Sequence, residues 1–334
     1  MIIAARTPTP AEQEFAARIR QRYPEGLTGI IAVGGTRTYY LLSQQDEEDD
    51  PGKISDFTPY AEVLLARYLD LAASFYMLGG QNLVMPILSY QLFYERGIEY
   101  AKAVSEQTLL LTQEPVLSFY RDQNIDPYFV GIDTLLSTPA SEPGHQLALA
   151  LERFQRKWKY VAGKRKLLWE VAPIPLYSIW NAPQTMTAQE LADLQRSLDN
   201  AENMDQMYRL LYAFYARAVY GTDLPIPHFY LGTNRNGPLK LRSLLPIALL
   251  CGGPFRLFYT PYPSAFTTSE TLRAIFDDLA FNSGLDTTKM DYRGQVTAEL
   301  LNSERARVLA LRDDPTTTLG LLRKSIPSDP SADE

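Results

Sequence analysis

Six short apolar runs, separated by segments of helical length and period, constrain this chain more than any other feature. They lie at 28–33, 82–88, 127–132, 166–172, 228–232 and 256–260. A run that is apolar on successive residues has no solvent face, so it belongs to a strand buried on both sides. The intervening segments at 11–23, 58–78, 91–124, 146–163, 188–220 and 267–281 carry apolar residues at helical spacing. Strands alternating with helices predict an α/β fold of about six mostly parallel strands with helices on both faces. Residues 297–313 add a helical stretch and 328–334 a polar tail. The expected division is an α/β domain over 1–285 and a helical extension over 286–334.

Composition removes several function classes. Lys and Arg total 32 against 39 Asp and Glu, a net charge of −7, which disfavours a basic nucleic-acid binder. One cysteine, Cys251, permits no intrachain disulfide and fits a reducing compartment. The opening residues lack the long apolar core of a signal peptide, and the most apolar stretch, 244–251, is too short to span a bilayer. A cytoplasmic protein is therefore expected. Only two histidines exist, His145 and His228, and neither sits in a zinc or triad motif. Tyrosine is abundant, 21 residues against 14 Phe and 3 Trp. That fits ordinary packing, or a pocket that holds an apolar or cationic ligand against π faces.

In a parallel sheet the ligand sits beyond the carboxyl ends of the strands, so the turns there matter most. The first is Gly34-Gly35-Thr36-Arg37-Thr38-Tyr39-Tyr40. Its glycines let a ligand approach the backbone, and a helix start with an arginine suits an anion. An ordinary tight turn would carry the same residues. The second is the basic segment 232–243, with Arg235, Arg242 and Ser243. It would share an edge with the first turn, and the two could hold a diphosphate; a solvated cationic loop accounts for it equally well. The third follows the second strand and brings Tyr90 and Arg96. Acidic groups at 46–50 and Asp277-Asp278 could be metal ligands but read better as solvated carboxylates.

Taken in order, these residues resemble the cis-prenyltransferase family, and within it the divergent diterpene-synthase branch of the tuberculosinol and kolavelool synthases. Gly35-Thr36-Arg37 with the aromatics after it matches the family's Asp-Gly-Thr-Arg turn. Pro86-Ile87-Leu88-Ser89 with Arg96, Gly97 and Tyr100 matches the second strand and helix. Leu117-Ser118-Phe119-Tyr120, Leu257-Phe258-Tyr259-Thr260, Pro263-Ser264 and 268–273 extend the series. The likeness covers roughly residues 28–135 and 226–285, and its strength is collinearity rather than any one motif.

The resemblance implies a homodimeric enzyme acting on an isoprenoid diphosphate, with Arg37 on the phosphate-binding arginine. Tyr60 and Tyr100 fall on two pocket tyrosines that matter for activity in that branch. Arg235, Arg242 and Ser243 fall near a second phosphate-binding loop, and Arg96 near an arginine after the second strand. The family's turn carries an aspartate that binds Mg²⁺, and here that position is Gly34. Asp56 or Asp133 could supply the carboxylate instead, or arginines alone could assist ionisation. The expected function is a diterpene synthase that ionises a bicyclic diterpenyl diphosphate and quenches the allylic cation with water. The alternatives are transfer to a nucleophile such as adenosine, and a non-catalytic diphosphate-binding partner subunit, which the loss of the aspartate favours.

Overall fold

The computed structural model describes residues 8–43, 57–91, 93, 97–233, 255–281 and 298–313. All six expected strands form: β1 (Thr28–Ile31), β2 (Asn82–Leu88), β3 (Ile125–Val130), β4 (Arg165–Val171), β5 (Phe229–Thr233) and β6 (Arg256–Thr260). They make one sheet in the order β3-β4-β2-β1-β5-β6, and every neighbouring pair is parallel.

The strands are mostly apolar because both faces of the sheet carry helices. Side chains alternate across a strand with period two. Ile31, Leu83, Met85, Leu167, Trp169, Phe229 and Leu231 therefore enter the larger core. Ile30, Val84, Leu168 and Tyr230 enter a second core on the opposite face. The larger core is covered by α1 (Pro10–Arg22), α3 (Phe57–Met77), α4 (Ile98–Leu109), α5 (Val116–Asp122), α7 (Pro143–Lys157) and α11 (Ser269–Phe281). The smaller is covered by α10 (Met204–Tyr215) and the π-helical turn Ala216–Tyr220 that follows it.

Three short or solvated helices were not legible as such. These are α2 (Thr36–Ser43), of which only the start was expected, α6 (Ile132–Leu136) and α8 (Pro175–Thr185). The single helical stretch expected over 188–220 is divided. Its first part, α9 (Ala188–Asp199), opens on a capping box in which the Thr187 side chain accepts from the Glu190 N–H and the Glu190 carboxylate accepts from the Thr187 N–H. It stops at Asn200, and α10 begins afresh where the Asn203 side chain accepts from the Gln206 N–H at 2.9 Å. The C-terminal stretch forms α12 (Ala298–Asp313). No described helix is long and apolar enough to cross a membrane.

His228, just before β5, ties two strands together. Its Nδ1 lies 3.1 Å from the Thr28 N and 3.3 Å from the Thr28 carbonyl oxygen. Burial disfavours the imidazolium and holds the pKa below its usual value. The unfolded chain would bind a proton near pH 6.5 that the folded chain refuses, so stability is full above that pH and falls below it. The thermal midpoint should drop by about a few degrees between pH 7.5 and 5.5. His228→Gln should show a smaller drop; an identical drop would assign the dependence to other groups.

Candidate active site

The chain leaves β1 for β2 on one side, and later returns to place β5 on its other side. That reversal opens a crevice at the carboxyl end of β1. Beyond β1 comes Gly34-Gly35, then α2.

Both glycines are required by what packs on them. Gly35 has φ +70°, a left-handed conformation, and a Cβ there would lie 2.5 Å from Pro263 Cβ. A Cβ on Gly34 would lie 2.9 Å from Thr233 Oγ1. That hydroxyl cannot turn aside freely, because it donates to Ser264 Oγ at 2.8 Å and accepts from the Ser264 N–H at 2.7 Å. Ser264 Oγ in turn accepts from the Gly34 N–H at 2.8 Å and donates to Ala32 O at 3.0 Å. The ends of β1 and β5 are thus pinned to the turn after β6. Arg67 of α3 holds the far side of that turn, donating to the carbonyls of Ala265 and Thr267.

This packing bears directly on the missing aspartate. A side chain at position 34 would enter space that the Thr233–Ser264 pair already fills. Asp133 lies in α6, and Asp56 lies outside the described residues. Among the described residues no three His, Cys, Asp or Glu side chains converge as metal ligands. Position 34 thus has no room for the carboxylate that the resemblance implies, and no metal-holding cluster stands among the described residues. Gly34→Asp should destabilise the protein by about 1–3 kcal/mol, the usual cost of overpacking. It should not raise turnover with Mg²⁺. A variant of unchanged midpoint and higher Mg²⁺-dependent rate would refute this account.

A cavity of about 360 Å³ opens beside the turn, between α3 and α4. Its size is within the range for small-molecule sites. Thr36 and Arg37 stand at its edge. Tyr60 Oη and Thr36 Oγ1 share a hydrogen bond of 2.9 Å, joining α3 to the first turn of α2. Around them runs a collar of edge-to-face aromatic rings. Tyr40 meets Tyr60 at 5.3 Å, Phe57 meets Tyr60 at 6.4 Å, and Phe57 meets Tyr100 at 5.6 Å.

The walls are two helical stripes. Residues 57, 60, 61, 64, 65 and 68 of α3 face residues 100, 103, 104, 107 and 108 of α4, joined by Leu111 in the turn that follows α4. Ile87 and Leu88 come from the end of β2. Tyr68 and Trp169 also line it, their rings 6.3 Å apart. Trp169 is fully buried, and its Nε1–H donates to Tyr120 Oη at 2.9 Å. Tyr120 donates onward to Leu111 O at 3.0 Å. Burial pushes the Tyr120 hydroxyl far above its ordinary pKa, so it stays a neutral donor.

Of the residues singled out from sequence, Thr36, Arg37, Tyr60 and Tyr100 line this cavity. Gly34 and Gly35 shape the turn, and buried Tyr40 backs Tyr60. Thr38 lies in the first turn of α2, partly exposed. Tyr39 is directed elsewhere, onto Phe266 at 4.7 Å, and Tyr90 packs on the larger core. Arg96, Arg235, Arg242 and Ser243 lie outside the described residues. Asp278 pairs with Arg256 on the surface, as expected of a solvated carboxylate.

No protein-family model and no curated protein sequence matches the chain. The fold does have solved neighbours. The chain is similar to lavandulyl diphosphate synthase from Lavandula x intermedia, solved in complex with dimethylallyl diphosphate. The similarity covers 77% of this chain and 95% of that one, at a TM-score of 0.50 and 13% identity. The chain therefore has a prenyltransferase-like α/β fold.

Proposed function

We propose that this protein is a diterpene synthase that ionises a terpenyl diphosphate and captures the cation with water to give an alcohol. The observation that carries the proposal is the cavity: a largely apolar and aromatic space lined also by Thr36 and the exposed Arg37 at the start of α2. An apolar chain with an anionic end fits such a site. The fold neighbour, a prenyl diphosphate synthase bound to a prenyl diphosphate, supports the same substrate class.

The substrate's diphosphate would lie at the first turn of α2. The leading amides of a helix have no acceptor within it, and its dipole favours negative charge there. Arg37 would add a guanidinium to the charge that develops as the allylic C–O bond breaks and its electron pair leaves with the diphosphate. Tyr60, Tyr100 and Phe57 would present π faces to the cation. A water oxygen would then bond to the cation, and its proton would pass to the departed diphosphate. Ionisation is assigned here to the arginine and the backbone amides, and no step runs through Mg²⁺. A homodimeric, cytoplasmic enzyme completes the proposal; sedimentation of the purified chain tests the first of these. Transfer to another acceptor such as adenosine would use the same ionisation.

One observation favours a second reading. Gly34 removes a carboxylate from the turn, and this suits a partner subunit that binds prenyl diphosphates without turning them over. The test is incubation of purified protein with geranylgeranyl, copalyl-type, kolavenyl-type and halimane-type diphosphates, with and without Mg²⁺. Extracts are read by gas chromatography–mass spectrometry, and diphosphate release and binding of each diphosphate are measured in parallel. A new diterpene alcohol is the expected result. Binding without any product or diphosphate release would establish the second reading instead.

A further inference from the structure

Arg67 of α3 is largely buried, its side chain 14% exposed, and it pairs with the exposed Asp70 one turn further on. Its remaining bonds go to backbone. It donates to Ala265 O at 2.6 Å and to Thr267 O. Both of those residues are fully buried, so their carbonyls depend on a protein donor. Burying a guanidinium is costly unless it is hydrogen-bonded. Here its rigid fork fixes two carbonyls of one turn relative to α3.

That turn, residues 263–267 between β6 and α11, is also the seat of the α2 start. Pro263 packs on Gly35. Ser264 Oγ accepts from the Gly34 N–H at 2.8 Å, and the Ala265 N–H donates to Gly34 O at 3.4 Å. The Phe266 ring meets Tyr39 at 4.7 Å. Four successive residues of the turn therefore touch the segment 34–39. On its other side α3 supplies Leu64, Leu65 and Tyr68 to the cavity, and Arg67 is not among the lining residues. One set of bonds thus runs from the helix that walls the cavity, through the turn, to the backbone of Gly34.

Resting on the substrate class and the diphosphate position proposed above, we infer that Arg67 is a positioning residue that couples the two halves of the site. Through the turn it fixes where the diphosphate end stands relative to the hydrocarbon wall. A ligand carrying both parts then engages both without first having to order them. The Thr36–Tyr60 hydrogen bond is a second tie between α2 and α3, so loss of Arg67 loosens the register rather than abolishing it.

The experiment titrates two probes calorimetrically into the full-length protein. Inorganic diphosphate uses the α2 start alone; inert geranylgeranyl S-thiolodiphosphate uses both halves. Weak binding of inorganic diphosphate is read by competition against the second probe. The readout is the ratio of the two affinities. In Arg67→Gln the advantage of the joined probe should fall about tenfold, while inorganic diphosphate keeps its wild-type affinity. Arg67→Lys keeps the charge and a donor for one carbonyl, and there the fall should be only about threefold. A merely structural role would lower the thermal midpoint and leave the ratio alone. An unchanged ratio, or an equal loss of both affinities, would overturn the inference. If Arg67→Gln is unfolded at the titration temperature, Arg67→Lys decides in the same way. None of these results touches the prenyl-diphosphate reading. If neither probe binds the wild type, that reading falls and this inference falls with it.

Discussion

Replacing Arg37 with alanine should lower kcat by about a hundredfold or more with little change in thermal midpoint. Arg37 is exposed and stands at the edge of the cavity, so its removal leaves no buried void. Its proposed contribution is to the charge that grows on the leaving diphosphate. That charge is greater in the transition state than in the bound substrate, so the loss should fall on kcat more than on KM. Arg37→Lys should recover part of the rate, since a lysine restores charge but not the planar fork that grips two phosphate oxygens. The check is steady-state kinetics on whichever diphosphate the panel identifies. Wild-type kcat in Arg37→Ala would remove the arginine from the mechanism. A rise in KM alone would reduce it to a docking contact.

How legible this was beforehand differs between sheet and site. The strands could be read because burial on two faces makes each a block of apolar residues with clear ends. Thr28–Ile31 and Asn82–Leu88 are examples. Helix α8 could not, since its buried positions include Ser178 and Ala182, polar or small, while Leu176 and Trp180, four residues apart, are 77% and 75% exposed. Helix α6 has only five residues, too few to show a period.

The turn at Gly34-Gly35 was legible as a place where backbone must come close to something. That the something includes Thr233, Pro263 and Ser264 was not, because those contacts join residues about 200 or more apart in the chain. The cavity walls were hidden for a different reason. Residues 64, 65 and 68, like 103, 104 and 108, sit at helical spacing and read as core. A stripe that faces a cavity has the same sequence signature as one that faces a packed interior. Tyr60 and Tyr100 emerged only through collinear resemblance.

Trp169 shows how one residue serves both the fold and the proposed site, and the two roles can be separated. It is fully buried in β4, packs edge-on against Tyr68 and donates to Tyr120. Trp169→Ala should cost about 3–5 kcal/mol, typical of deleting a buried large aromatic. The thermal midpoint should fall by about 10 °C. The same substitution removes the largest of the described side chains that line the cavity. If the hydrocarbon lies there, the variant should accept longer or bulkier terpenyl chains relative to the wild type's preferred one. Trp169→Phe keeps a ring in place and gives up the Nε1–H bond. It should lose about 1 kcal/mol for that bond, plus a smaller packing term, and should keep the wild-type size preference. Competition among diphosphates of different length, measured at a temperature where all three proteins are folded, distinguishes the cases. A loss of stability in Trp169→Ala with no change in size preference would mean that the tryptophan only supports the core, and would place the hydrocarbon elsewhere.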